Sequence, residues 1–150
     1  MSVENNDVFY TWFNLGGSNA ELLAETGRWI LPHVDDVLDR FYELILNREE
    51  TRSFFSDPKL VDHAKQAQKA HWEKLFSGRF DQEYFESADR IGRVHYQIQL
   101  PFIQYLGGYS AAGSDMLDIL LRRRVMNRKK LSQQVQLVTR VMLADCERVI

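Results

Sequence analysis

The stretch Ile91-Gly-Arg-Val-His-Tyr-Gln-Ile-Gln-Leu-Pro-Phe-Ile-Gln-Tyr-Leu-Gly-Gly-Tyr109 decides how the chain is read. Stepping through it and its approach at helical spacing places Tyr84, Ala88, Ile91, Gly92, His95 and Ile98 on one face, so the His95 imidazole points where a core should be. A buried imidazole needs a hydrogen-bond partner or a metal, and no Asp or Glu lies close to it on that face. Iron in a haem would satisfy it; so would a backbone carbonyl or a water at the edge of the core. Gly92, one turn earlier, costs a helix about 1 kcal/mol relative to Ala. It makes sense where something must lie close to the backbone, either a flat cofactor or a tightly crossing helix.

Around that stretch the chain is built for one domain over residues 1–150: 45% of its residues are hydrophobic and 27% charged, enough for a full core without a disordered majority. A net charge of −2 gives no electrostatic case for nucleic acid or an anionic membrane. The cluster Arg122, Arg123, Arg124, Arg128, Lys129 and Lys130 reads as a solvated helix end and turn. No apolar run has the length to span a bilayer, and the acidic start Met-Ser-Val-Glu-Asn-Asn-Asp is unlike a signal peptide, so a cytoplasmic location is expected. A lone cysteine, Cys146, excludes a disulfide framework or a cysteine-rich metal cluster.

Prolines and glycines are few, and nearly every segment between them carries a helical apolar period, which predicts an all-α protein of six or seven helices. An aromatic segment from Val8 to Phe13 ends at Gly16-Gly17, and Ser18 or Asn19 can cap a helix to Trp29 and Leu31. Pro32 opens a second, with Val34, Val37, Leu38, Phe41 and Ile45 inward and Tyr42 at the edge of that face. Residues 47–57 predict an irregular connection with Phe54 and Phe55 turned inward. Asp57-Pro58 starts a helix that Ser77-Gly78 stops, Asp81 caps the helix of His95, and Pro101 separates it from a helix bearing Tyr105, Tyr109 and Met116. A last helix begins near Lys129. It reaches Ile150 without a stop signal, which predicts a longer natural chain.

The combination Asp39-Arg-Phe-Tyr42, Phe54-Phe55, His71-Trp-Glu-Lys-Leu-Phe-Ser-Gly78, Arg90-Ile-Gly-Arg-Val-His95, Leu100-Pro101 and Tyr105-Leu-Gly-Gly-Tyr109 resembles the sensor domain of the globin-coupled sensors over nearly the whole chain. The resemblance implies a globin-like fold and haem b (iron protoporphyrin IX), with His95 as the axial metal ligand and Tyr42 hydrogen-bonding a ligand on the opposite face. The cofactor-binding positions it implies are Tyr42, Phe54, Phe55, Ala64, Ala67, Gln68, Gly92, His95 and Tyr105. A diatomic gas, O2 or else CO or NO, is the implied ligand, and an attached output domain the implied partner.

Departures from that family stand at Ala64, where a bulky aliphatic residue is common, with Ala67 and Gln68 beyond it; small side chains leave room for water or for a second hydrogen bond from Gln68. Gln99 and Gln104 replace residues common around the proline, namely glycine and tryptophan. His71 recurs in the family pattern as a structural residue, and His63 either faces solvent or competes as a second axial ligand. Met116, Met126 and Met142 read as gap-fillers between helices. The pairs Asp35-Asp36 and Glu49-Glu50 do not converge as a dyad, and no nucleophile triad or phosphate loop appears, so the 150 residues are expected to sense rather than to catalyse.

Three functions remain open at this level: a haem-based oxygen sensor controlling a C-terminal output, a free-standing globin for oxygen binding or nitric oxide detoxification, and a haem-free globin-like interaction module. A homodimer through the last two helices is also expected. The helix after Pro101 offers Gly107, Gly108, Ala111, Ala112 and Gly113, and the final helix has a second apolar stripe, Leu137, Val141 and Ala144.

Overall fold

The computed structural model describes residues 3–149, with side chains from Asp7 onward. Ile150, where the sequence predicts no helix stop, lies outside the described residues. The chain forms α1 (Val3–Phe13), α2 (Ser18–Ile30), a 3-10 turn (Leu31–His33), α3 (Val34–Leu46), the single turn α4 (Glu49–Arg52), α5 (Pro58–Leu75), α6 (Gln82–Gln97), α7 (Phe102–Leu121) and α8 (Arg128–Val149). No strand occurs among the described residues, and no helix among them is long and apolar enough to cross a membrane. Helices exceed the number expected because residues 47–57 contain the turn α4, and because the N-terminal segment is itself helical.

Local chemistry explains the boundaries. The Asp57 carboxylate accepts from the Lys59 amide at 2.9 Å, with Pro58 in the first turn. The Asp81 carboxylate accepts from the Tyr84 amide at 3.1 Å and starts α6. Each such cap is worth about 1 kcal/mol. The start of α2 differs from expectation: Gly17, at φ 59°, takes the cap position and neither Ser18 nor Asn19 caps it, Asn19 donating instead to the Asn14 carbonyl. Pro32 sits within the 3-10 turn rather than at the start of α3.

A single apolar cluster draws on α1, α2, α3, α5, α6, α7 and α8, with Trp72, Phe76, Tyr84 and Met116 among its largest buried members. Helix α8 packs against α7, α6 and α2, while α3 lies on α7 and α5. Lys65–Asp39 and Lys69–Asp35, both 2.9 Å, lash α5 to α3 on the outside. These pairs are exposed and screened by solvent, so the inter-helix geometry rests on the apolar cluster.

Three sequence expectations change here. Leu137, Val141 and Ala144, read as a dimer stripe, are fully buried within the subunit, because α8 is enclosed by α7 on one side and α2 and α6 on others. Gly108, Ala112 and Gly113 are likewise used inside the subunit, Gly108 against the Phe41 ring, Ala112 in the core and Gly113 near the Met142 methyl. Met126 fills no gap; it is fully exposed on the α7–α8 connection.

Candidate functional site

Tyr42 and His95 face one cavity. It encloses about 80 Å³ and is lined by Phe41, Tyr42 and Ile45 of α3, Thr51 of α4, Gln68 and Trp72 of α5, His95 of α6, Leu100, and Gln104, Tyr105, Tyr109 and Ala112 of α7. Helix α3 supplies its wall because Phe41, Tyr42 and Ile45 lie on the face flanking the buried Val34, Val37 and Leu38. The Thr51 hydroxyl, donating to the Ile45 carbonyl at 2.6 Å, closes the corner between α3 and α4. Pro101 at the cap of α7 turns the chain sharply enough for His95 and Tyr105 to face each other, with ring centroids 5.0 Å apart.

The cavity is apolar in most of its lining yet holds several polar atoms without partners. The Trp72 indole nitrogen, the Gln104 side-chain oxygen and the Tyr105 hydroxyl are buried and make no well-formed hydrogen bond, the Cys146 thiol standing beside Tyr105. No hydrogen bond reaches either His95 ring nitrogen among the described residues. A buried polar group left unpaired costs about 1–3 kcal/mol. Several on the wall of one cavity fit an occupant that supplies the missing partners.

Protonation states favour a ligand site. Burial lowers the His95 pKa from its ordinary value, which keeps the imidazole neutral at neutral pH with a nitrogen lone pair available. Burial pushes the Tyr42 hydroxyl up to about 12, so it remains an O–H donor. Its ring is held edge-on by Phe41 and Phe55, at 5.0 and 5.6 Å. Val94, Ile98 and Phe102, in and just beyond the α6 turn that bears His95, are apolar and exposed by 53%, 37% and 56%. A neutral imidazole, a protonated phenol and unpaid apolar surface beside them together suit haem, with His95 as ligand and Tyr42 on another wall.

Of the positions expected at the site, Tyr42, Gln68, His95 and Tyr105 line the cavity. Phe55 supports it through Tyr42, Phe54 is half-buried nearby in sequence, and Ala64 packs on the apolar cluster. Ala67 is exposed. Gly92 does not line the cavity: a Cβ there would strike the Val149 carbonyl, so the glycine serves the crossing of α6 and α8. The cavity residues that sequence reading did not assign to the site are Phe41, Ile45, Thr51, Trp72, Leu100, Gln104, Tyr109 and Ala112.

Behind the cavity lies a buried polar cluster also missed from sequence. Asp145 is fully buried; its Oδ1 accepts from Tyr84 Oη at 2.6 Å and from His71 Nε2 at 2.7 Å, and its Oδ2 accepts from Tyr109 Oη. The other nitrogen of His71 meets Ser87 Oγ at 2.9 Å. His71 is therefore structural, as expected. Asp145 had a sequence signal that went unused: it falls on the stripe Val138, Met142, Val149, where a carboxylate has to find buried donors.

Comparison with known proteins agrees with this geometry. The Protoglobin family profile matches residues 8–150. The heme-based aerotactic transducer HemAT of Halobacterium salinarum is 31% identical over 87 residues, 57% of this chain and 18% of that protein, so the chain spans under a fifth of that relative's length. Among solved structures, the globin domain of a Geobacter sulfurreducens globin-coupled sensor superposes with a TM-score of 0.85 at 18% identity, covering 95% of this chain and 93% of that one. The globin domain of E. coli DosC in its ferrous form gives 0.80 at 13% identity, covering 94% of this chain and 96% of the other. At such identities the structures speak for the globin fold. With the profile spanning α1 to α8 and an inward histidine facing an inward tyrosine across one cavity, the chain belongs to the Protoglobin family.

Proposed function

We propose that the chain is a haem-b gas-sensing globin domain, with oxygen as its ligand, forming the input part of a longer signalling protein. The observation that carries this reading is the unpartnered His95 imidazole on a cavity whose other walls present the Tyr42 hydroxyl and unpaired polar atoms of Trp72, Gln104 and Tyr105. The name of the aerotactic relative, and the small share of it that this chain spans, support the sensing role and the attached output.

Haem held by His95 would supply a coordination site for a diatomic gas. The chain's own groups do the rest. His95 stays neutral, so no proton has to leave before it ligates. Tyr42 offers a donor on a wall from which bulk water is largely excluded, where a bond to a partly negative oxygen is worth on the order of 1–3 kcal/mol. Gln68, half-buried on α5, offers a second. As enclosed, the cavity holds a diatomic molecule and little more, so seating a macrocycle requires the walls to part.

A homodimer through α7 and α8 remains part of this reading, on a narrower face. Ile103 and Leu106 are exposed, and nothing lies within 4 Å of the position a Cβ would take on Gly107. On α8, Leu143 is the exposed apolar residue.

The test is the visible spectrum of freshly purified protein, reduced and then exposed to oxygen and to carbon monoxide. Bands that appear with haem and shift with each gas are expected. A colourless protein that takes up no added haem would favour the interaction-module reading.

A further inference from the structure

Asp145 does not itself line the cavity, yet three of the helices that wall it send a side chain to its carboxylate. The contributors are His71 of α5, Tyr84 of α6 and Tyr109 of α7, meeting on α8. We propose that Asp145 is a positioning residue for the cavity, acting through Tyr109 on the inner wall and His71 beneath the α5 wall, so that cavity occupancy and the placement of α8 are energetically linked. The proposal rests on the haem reading only for the identity of the occupant.

A carboxylate with no solvent exposure has to be compensated, and here hydrogen bonds from side chains do it. Those donors are consequently fixed in space by Asp145. Facing a carboxylate, His71 Nε2 donates, while Nδ1 meets the Ser87 hydroxyl, so both ring nitrogens have partners. The residue after His71 is Trp72 and the residue three before it is Gln68, both in the cavity wall. Tyr109 is itself a wall residue, and its ring lies 5.6 Å from that of Tyr105, which in turn packs on His95.

The two phenols on Asp145 differ in one respect. Tyr109 lines the cavity; Tyr84 lies in the core and does not. An occupant that displaces Tyr109 therefore has either to carry Asp145 and α8 with it or to break a bond to a buried charge. By reciprocity, whatever moves α8 changes the affinity of the cavity by the same factor.

The experiment compares backbone hydrogen exchange over residues 138–149 in the haem-free chain, the haem-loaded chain and its carbon monoxide complex, for the parent, Tyr109→Phe and Tyr84→Phe. Each substitution removes one phenol from the same carboxylate. In the parent, exchange in α8 should differ between states by at least about fivefold, the lower end of ordinary coupling. Tyr109→Phe should lose that difference, while Tyr84→Phe keeps it. The proposal is overturned if the parent shows no difference, if Tyr109→Phe retains it, or if Tyr84→Phe abolishes it equally, since the cluster then only holds the fold. Should Tyr109→Phe not fold, Asp145→Asn interrupts the same bond from α8 and is read by the same criteria. Failure of the parent to take up haem would overturn the haem reading alone. The link is then judged in the haem-free chain, where Tyr109→Phe should speed exchange in both residues 105–112 and α8 about fivefold or more, and an unchanged pattern rejects it.

Discussion

The Tyr105 ring lies 5.0 Å from the His95 ring at an interplanar angle of 59°, the two standing on either side of the connection at Pro101. The contact holds the imidazole through its edge and face while leaving both ring nitrogens without a hydrogen bond. A histidine fixed in this way has both ring nitrogens free and its rotamer chosen by packing.

His95→Ala should therefore abolish stable haem retention and do little harm to the fold. The side chain is half-buried and holds no hydrogen bond that the core depends on. Visible spectra should show no haem bands after desalting, with partial recovery on adding imidazole. A parent-like spectrum in the variant would exclude His95 as the ligand.

Tyr42→Phe should speed oxygen dissociation by roughly tenfold, the rate equivalent of about 1.4 kcal/mol of lost hydrogen bonding. Carbon monoxide, less polar as a ligand, should respond less. Stopped-flow measurements on both gases separate the cases: equal acceleration of the two argues for a steric role, and no effect shifts the donor assignment to Gln68.

Asp145→Ala should be among the most destabilising single changes, costing about 3–5 kcal/mol in urea unfolding. It leaves the His71 imidazole and two tyrosine hydroxyls without an acceptor in the core. A loss below about 1 kcal/mol would mean that water reaches the cluster and replaces the carboxylate.

Alkali should unfold the chain cooperatively. Burial raises the pKa of Tyr42 to about 12, and burial followed by the nearby Asp145 charge raises Tyr84 and Tyr109 as well. The folded chain thus keeps protons that the unfolded chain releases near 10, the ordinary tyrosine value, so this stability is complete below about pH 10 and is lost as the pH rises toward 12. Near-ultraviolet tyrosinate absorbance and circular dichroism should change together in that window. Full tyrosinate formation with native circular dichroism would contradict the burial.

Oligomerisation should respond to α7 and not to the inner stripe of α8. Ile103→Glu places a charge on an exposed apolar position and should turn a dimer into a monomer in sedimentation, with the melting temperature little changed. Val141→Glu should unfold the subunit, since Val141 has no exposed surface. A parent that sediments as a monomer at micromolar concentration removes the dimer.

Periodicity made the helices and the inward His95 legible, because each depends on residues within a turn or two. Tyr42 was visible as a helix-edge residue, and only the resemblance gave it a role; the structure shows why, since its burial comes from Phe41 beside it and Phe55 across the corner. What escaped depends on partners distant in sequence. Asp145 meets His71 and Tyr84 across 74 and 61 positions. The second apolar stripe of α8 is legible in the sequence but was given the wrong partner: a helix enclosed on several sides by its own chain looks, in one dimension, like a helix shared with another. Gly92 shows the same ambiguity, its bare backbone serving α8 where a cofactor was an equal expectation.

That crossing at Gly92 also sets which movements are cheap. No side chain stands between the α6 backbone there and the Val149 carbonyl, so at this one point the two helices meet backbone to backbone. Any shift of α6 that brought a side chain onto this point would have to lift α6 off α8, because only a hydrogen atom fits the space. His95, one turn away, is carried on a helix whose distance from α8 is fixed by that bare backbone contact.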